Sequence, residues 1–122
     1  MNLDPDGAKL LCCAMINRAL LDMRSRGEGG HENLRQMTYR AYVRAVLWLG
    51  SSRSSLYFDY MDGLGQEDAL YAMRWADYAL ELRSDPRANL TGAEVVLLTT
   101  GIKSLRKGRR RGIRLTRAYD ID

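Results

Sequence analysis

From Lys103 to Arg117 the chain places Lys103, Arg106, Lys107, Arg109, Arg110, Arg111, Arg114 and Arg117 with no acidic residue between them. A dense run of such side chains acts through its charge. They neutralise phosphates and release the counterions condensed on a polyanion. If a helix continues past Ile102, then Lys103, Lys107 and Arg110 share one face with Arg106 beside them, a ridge able to follow a phosphate backbone. The stretch Gly108-Arg109-Arg110-Arg111-Gly112 could instead act as an extended arginine arm in a minor groove, although it lacks the proline of an AT-hook. Residues 103–122 hold eight basic and two acidic side chains, a net of +6, whereas residues 1–102 hold eleven basic and thirteen acidic ones, a net of −2. The positive field therefore gathers at one end of a nearly balanced body, which points to a negatively charged partner.

A second group with phosphate chemistry is Arg53, Ser54 and Ser55. Hydroxyls, a guanidinium and the amides of a helix start could hold a phosphate there. The more ordinary expectation is that Ser54 or Ser55 caps the helix that follows.

Catalytic constellations are missing. His31 is the one histidine and reads as a surface residue near a helix start. No Cys/His set has zinc spacing, no serine stands in a G-x-S-x-G setting, and Gly63 and Gly65 lead into Gln66 rather than a G-K-[ST] run. Asp59 and Asp62 could share a helix face, but an isolated acid pair is ordinarily solvated charge. The sequence is thus read as no enzyme, with no cofactor and no metal. Cys12 and Cys13 are adjacent, point about 100° apart on a helix and are read as two reduced thiols.

The elements that must position the basic segment read as helices. Asp4-Pro5 gives an N-cap with proline at the first helical position. Leu11, Met15, Ala19 and Met23, widened by Cys12, Ile16 and Leu20, continue that helix over 5–25 until Gly27-Glu28-Gly29-Gly30 stops it. A second helix over 32–49 carries Leu34, Met37, Ala41, Ala45 and Trp48 on one face. A short helix over 55–63 follows, bearing Tyr57, Tyr60 and Met61. A fourth over 66–83 has a large stripe of Tyr71, Trp75, Tyr78 and Leu82 beside a small stripe of Ala69, Ala72, Ala76 and Ala79, a pairing that suits close packing. The last helix opens with a T-x-x-E capping box at Thr91 and Glu94, flanked by Leu90 and Val95 at staple positions. It buries Val95, Leu98, Ile102 and Leu105 and enters the basic run, with Gly108 and Gly112 expected to fray or end it. Residues 113–119 read as a short strand or a tail.

The expected fold is all-α: a compact bundle of about five helices over 1–106, with a basic C-terminal extension over 107–122. Tyr57 to Leu80 has the spacing of a helix-turn-helix unit. Its longer helix, however, presents Tyr71, Trp75, Tyr78 and Glu81 where base-reading side chains are needed, and only Gln66 and Arg74 suit that task. An ordinary corner between core helices is the stronger reading. The first residues carry Asp4 and Asp6 rather than lysines and do not read as a signal-peptide n-region. No apolar stretch approaches the roughly 20 residues needed to span a bilayer.

Ala8 to Asp22, Tyr39-Arg40-Ala41 to Trp48-Leu49, and Ser54 to Leu64-Gly65 together resemble a pattern in small phage and prophage helical proteins: an apolar helix, a second helix closing on Trp plus an aliphatic, a Ser-rich turn, and a short aromatic helix ending in Leu-Gly. The resemblance covers about half of the chain. It implies a mobile-element origin and an accessory or regulatory role in the cytoplasm of a bacterial host, and it supplies no functional residues. The expected partner is DNA or RNA. The alternatives are an inhibitor of a host nuclease or defence complex, acting on a protein or a ribonucleoprotein, and an oligomeric virion or packaging component.

Overall fold

The computed structural model describes residues 5–28, 32–60 and 65–110, of which 5–6, 32–37 and 107–110 as backbone only. The chain is all-α and forms a compact helical bundle: α1 (Pro5–Ser25), α2 (Glu32–Gly50), α3 (Ser52–Asp59), α4 (Gln66–Ala72), α5 (Trp75–Arg83), a 3-10 turn (Pro86–Ala88) and α6 (Gly92–Arg110). No strand occurs among the described residues. None of their helices is long and apolar enough to cross a membrane.

α1 lies along α2 and touches α3, while α5 and α6 close the other side of α2. The buried seam of α1 is Cys12, Ile16, Ala19 and Met23, the i, i+4, i+7, i+11 spacing of one narrow helix stripe. This corrects the sequence reading, which put Leu11 and Met15 on the buried face. They are 51% and 41% exposed, because a helix covered mainly along one line leaves the next row of side chains outside. The rest of the core comes from Tyr42, Ala45, Val46 and Leu49 of α2, Phe58 of α3, Ala69 and Leu70 of α4, Trp75, Ala79 and Leu82 of α5, and Leu98, Ile102 and Leu105 of α6. Cys12 and Cys13 are free thiols.

α1 ends where Arg26 (φ 51°) and Gly27 (φ 71°) turn left-handed. At Gly27 a Cβ would come 2.8 Å from both the backbone and the ring of Tyr39, so glycine is required there on two counts. The short third helix starts at Ser52, earlier than the sequence suggested. The expected single helix over 66–83 is two helices. Arg74 adopts φ 58°, ψ 34° and splits it, a conformation that costs a non-glycine residue about 1 kcal/mol. The break keeps α4 against α3 while α5 turns to lay Trp75 against α2. Both stripes still reach the core, through Trp75, Leu82, Ala69, Ala72 and Ala79.

Candidate nucleic-acid interface

The basic segment is positioned by a well-defined helix start. The Thr91 amide donates to Glu94 Oε1 at 2.8 Å, and the Glu94 amide donates to Thr91 Oγ1 at 3.2 Å. This reciprocal pair is the capping box read from the sequence. It satisfies two of the amides a helix start leaves without partners. Beyond it, Leu98, Ile102 and Leu105 are buried, which fixes the rotation of α6. Lys103 and Arg106 are consequently exposed. One turn apart, they make no ion pair with a described carboxylate.

The α6 backbone continues through Gly108 to Arg110, so of the two outcomes expected there, fraying or ending, the helix does not end at Gly108: a single glycine weakens a helix by only about 1 kcal/mol. Lys107, Arg109 and Arg110 therefore stand on helical backbone, and the 106/107 division of the sequence falls within α6. Arg111, Arg114 and Arg117, with the 113–119 segment, lie outside the described residues, as does His31.

The serine cluster is a different matter. Arg53 is exposed, but Ser54 is fully buried. Its hydroxyl donates to the Leu49 carbonyl at 2.8 Å, with the Ser51 carbonyl at 3.1 Å. The Ser55 hydroxyl donates to the Ser52 carbonyl at 2.6 Å. Both hydroxyls of the possible phosphate contact thus donate to backbone oxygens, and that of Ser54 is closed off from solvent. Neither serine is an N-cap. Ser51 occupies that position without a side-chain capping bond, its hydroxyl donating instead to Trp48 at 2.7 Å. Gln66, one of the two side chains that might have read a base, is also committed. Its Nε2 lies 3.0 Å from the Leu49 carbonyl, 2.7 Å from that of Ser51 and 2.8 Å from Ser54 Oγ. The pair Gln66 and Ser54 closes the carbonyl end of α2, a structural duty.

A second basic face went unnoticed in the sequence. A cleft of about 690 Å³ is lined by Gly27, Tyr39, Arg40, Val43, Arg44, Arg87, Ala88 and Asn89. Arg40 and Arg44 are exposed one turn apart on α2. Arg87 reaches in from the 3-10 turn, its guanidinium 4.8 Å above the Tyr39 ring. Asp85 fastens this corner. It accepts from the Tyr39 hydroxyl at 2.9 Å, from the Arg87 amide at 3.0 Å and from Arg87 Nη2 at 2.9 Å, with Nε 3.2 Å from both carboxylate oxygens. The Arg87 hydrogen bonds hold the Asp85 carboxyl down at about 2. Partial burial, then the bond to Asp85, pushes the Tyr39 hydroxyl up to about 12. The i, i+4 spacing of Arg40 and Arg44 was available in the sequence. Their meeting with Arg87 is tertiary and carries no local signal.

Among the described residues no group of three or more His, Cys, Asp or Glu side chains is gathered as a metal site. Compared with protein-family models, with curated proteins and with solved structures, the chain matches none.

Proposed function

We propose that the protein is a small phage-type accessory or regulatory protein that binds nucleic acid through α6 and the basic residues that follow it. The observation that carries this reading is the pair Lys103 and Arg106, exposed and without ion-pair partners among the described carboxylates, on a helix whose other side is anchored by Leu98, Ile102 and Leu105. An anchored helix offers its cations in a fixed row, so less freedom is lost when they meet phosphates. The sequence continues that row with Lys107, Arg109, Arg110, Arg111, Arg114 and Arg117. Contacts of this type position a protein on nucleic acid without reading its bases. The test is electrophoretic mobility shift on DNA and RNA with salt titration. Replacing Arg109, Arg110 and Arg111 with alanine should weaken binding to every sequence alike, and binding that is unchanged defeats the proposal.

A second reading, an inhibitor that docks on a host nuclease or defence complex, is favoured by one observation. α1 leaves Leu10 at 72% and Leu21 at 62% exposure on one line three turns apart, with Leu11 and Met15 exposed between that line and the buried seam, apolar surface that a partner could cover. A partner captured from nuclease-treated host lysate, and lost on Leu10→Glu with Leu21→Glu, would favour it over the first.

A further inference from the structure

The cleft between α2 and the 3-10 turn has features that an ordinary solvated surface does not need. Arg40, Arg44 and Arg87 converge on one concavity, and no ion pair with a described carboxylate neutralises Arg40 or Arg44. On consecutive turns of α2 they stand about 6 Å apart along the helix. Arg87 is held differently. Its Nε and Nη2 face Asp85 while Nη1 makes no hydrogen bond to a described residue, and the side chain is 74% exposed. Its Cζ lies 4.8 Å from the centroid of the Tyr39 ring, and at 74% exposure most of the group remains open to solvent. Val43 and Ala88 add apolar floor, and Asn89 an amide able to donate and accept.

A guanidinium fork matches a phosphate in two hydrogen bonds. A guanidinium plane is also a platform on which a base can stack. An acidic peptide would satisfy the charges but would leave that platform without a planar partner. The cleft volume falls within the range of small-ligand sites. We propose that this cleft binds a nucleotide unit, with its phosphate on Arg40, Arg44 and Arg87 and its base against the solvent-open guanidinium of Arg87. The unit is either a free mononucleotide or one residue of a single strand. This site does not rest on the basic segment. The cleft borders the start of α6, and Lys103 stands roughly 16 Å further along that helix.

The experiment titrates the full chain with adenosine monophosphate, with a short single-stranded oligonucleotide and with a glutamate-rich peptide, followed by calorimetry and by NMR shifts of Tyr39 and Asn89. Arg40→Glu with Arg44→Glu should weaken nucleotide binding ten-fold or more, and circular dichroism should show the fold retained, because both side chains are exposed. Arg87→Lys keeps the charge and loses the plane, and should abolish any preference for adenosine monophosphate over inorganic phosphate. Lys103→Glu with Arg106→Glu should leave mononucleotide affinity unchanged even where it weakens the oligonucleotide, so each proposal can fail alone. Loss of both nucleic ligands in the α2 variant identifies a site open to free nucleotides. Loss of the oligonucleotide alone identifies a strand site. The proposal is overturned if the wild type binds neither, if the α2 substitutions change neither affinity, or if the glutamate-rich peptide binds more tightly than both.

Discussion

The Trp75 indole Nε1–H donates to the backbone carbonyl of Val46 at 2.8 Å, linking α5 to α2 through the middle of the core. A helical carbonyl has a second lone pair to offer, so the buried N–H is satisfied without breaking α2. The ring beyond it is fully buried and occupies space left by two glycines, one on each neighbouring helix: a Cβ at Gly101 would come 2.6 Å from the ring, and one at Gly50 closer still.

Gly101→Ala should therefore destabilise the fold, although alanine is the better helix former by about 1 kcal/mol. The ring has no room to retreat, and overpacking of a closed core costs roughly 1–3 kcal/mol. Urea denaturation should show a lower midpoint for the variant. Combining it with Trp75→Leu should cost less than the two separate losses together, because the smaller side chain removes the clash. Strict additivity of the two would show that the ring and the glycine do not meet.

Thr91→Ala should cost about 1 kcal/mol by loss of the side-chain acceptor for the Glu94 amide. Glu94→Ala removes the reciprocal bond to the Thr91 amide. Since each residue serves the other's amide, the double variant should lose less than the two single losses summed, and amide exchange should quicken first in the opening turn of α6. Uniform quickening over the whole bundle would argue against a local capping role.

How much of this was legible depends on where each signal lives. The α6 start was readable because a capping box is a local code, complete within Thr91–Glu94. The ends of α1 and α2 were readable from glycine placement. The break at Arg74 was not, because Met73-Arg74 carries no glycine or proline. Tertiary packing imposes the turn there by drawing Trp75 inward, against helix propensity. Ser54 misled for a related reason. Its type and neighbours suit a helix N-terminus, and only the return of Gln66 to the end of α2 shows that the hydroxyl is enclosed. The basic run was legible as composition. The Arg40–Arg44–Arg87 cleft required two elements far apart in sequence to meet.

The Tyr39–Asp85 bond makes stability depend on pH at both extremes. An unfolded tyrosine ionises near 10, whereas Tyr39 in the fold holds its proton to about 12. Between those values the unfolded chain has already lost a proton that the folded chain keeps, so stability falls as pH rises from about 10 to 12. Asp85 works in the opposite direction. An unfolded aspartate titrates near 3.9 and the folded one at about 2, so its contribution is present above about pH 4 and is lost as pH falls toward 2. Denaturation midpoints across pH should show that Tyr39→Phe flattens the alkaline decline. The acid decline should largely remain, since Arg87 is the main cause of the Asp85 shift. An unchanged alkaline limb in Tyr39→Phe would refute the assignment.

Gln66→Leu should destabilise more than Ser54→Ala. Removing the Ser54 hydroxyl takes away one partner, while Gln66 keeps the Leu49 and Ser51 carbonyls. Removing the Gln66 amide strips one donor from both carbonyls and from Ser54 Oγ, and the single proton of the Ser54 hydroxyl then cannot fully serve the Leu49 and Ser51 carbonyls together. An enclosed acceptor left without a partner costs about 1–3 kcal/mol. Guanidinium denaturation of the two variants checks the order, and the reverse order would mean that Ser54 alone closes the end of α2.

Salt dependence gives the sharpest measure of the anchored cations on α6. For duplex DNA the logarithm of the binding constant falls with the logarithm of salt by about 0.9 for each phosphate neutralised. Lys103 and Arg106 are exposed and free of described ion pairs, so each should contribute one such phosphate if α6 lies along the backbone. Lys103→Ala with Arg106→Ala should then reduce the slope by about 1.8, with little change in stability, because neither side chain packs in the core. A weaker affinity with an unaltered slope would mean that the two residues act through packing or partner shape rather than by displacing counterions. The duplex would then have to meet some other face of the protein.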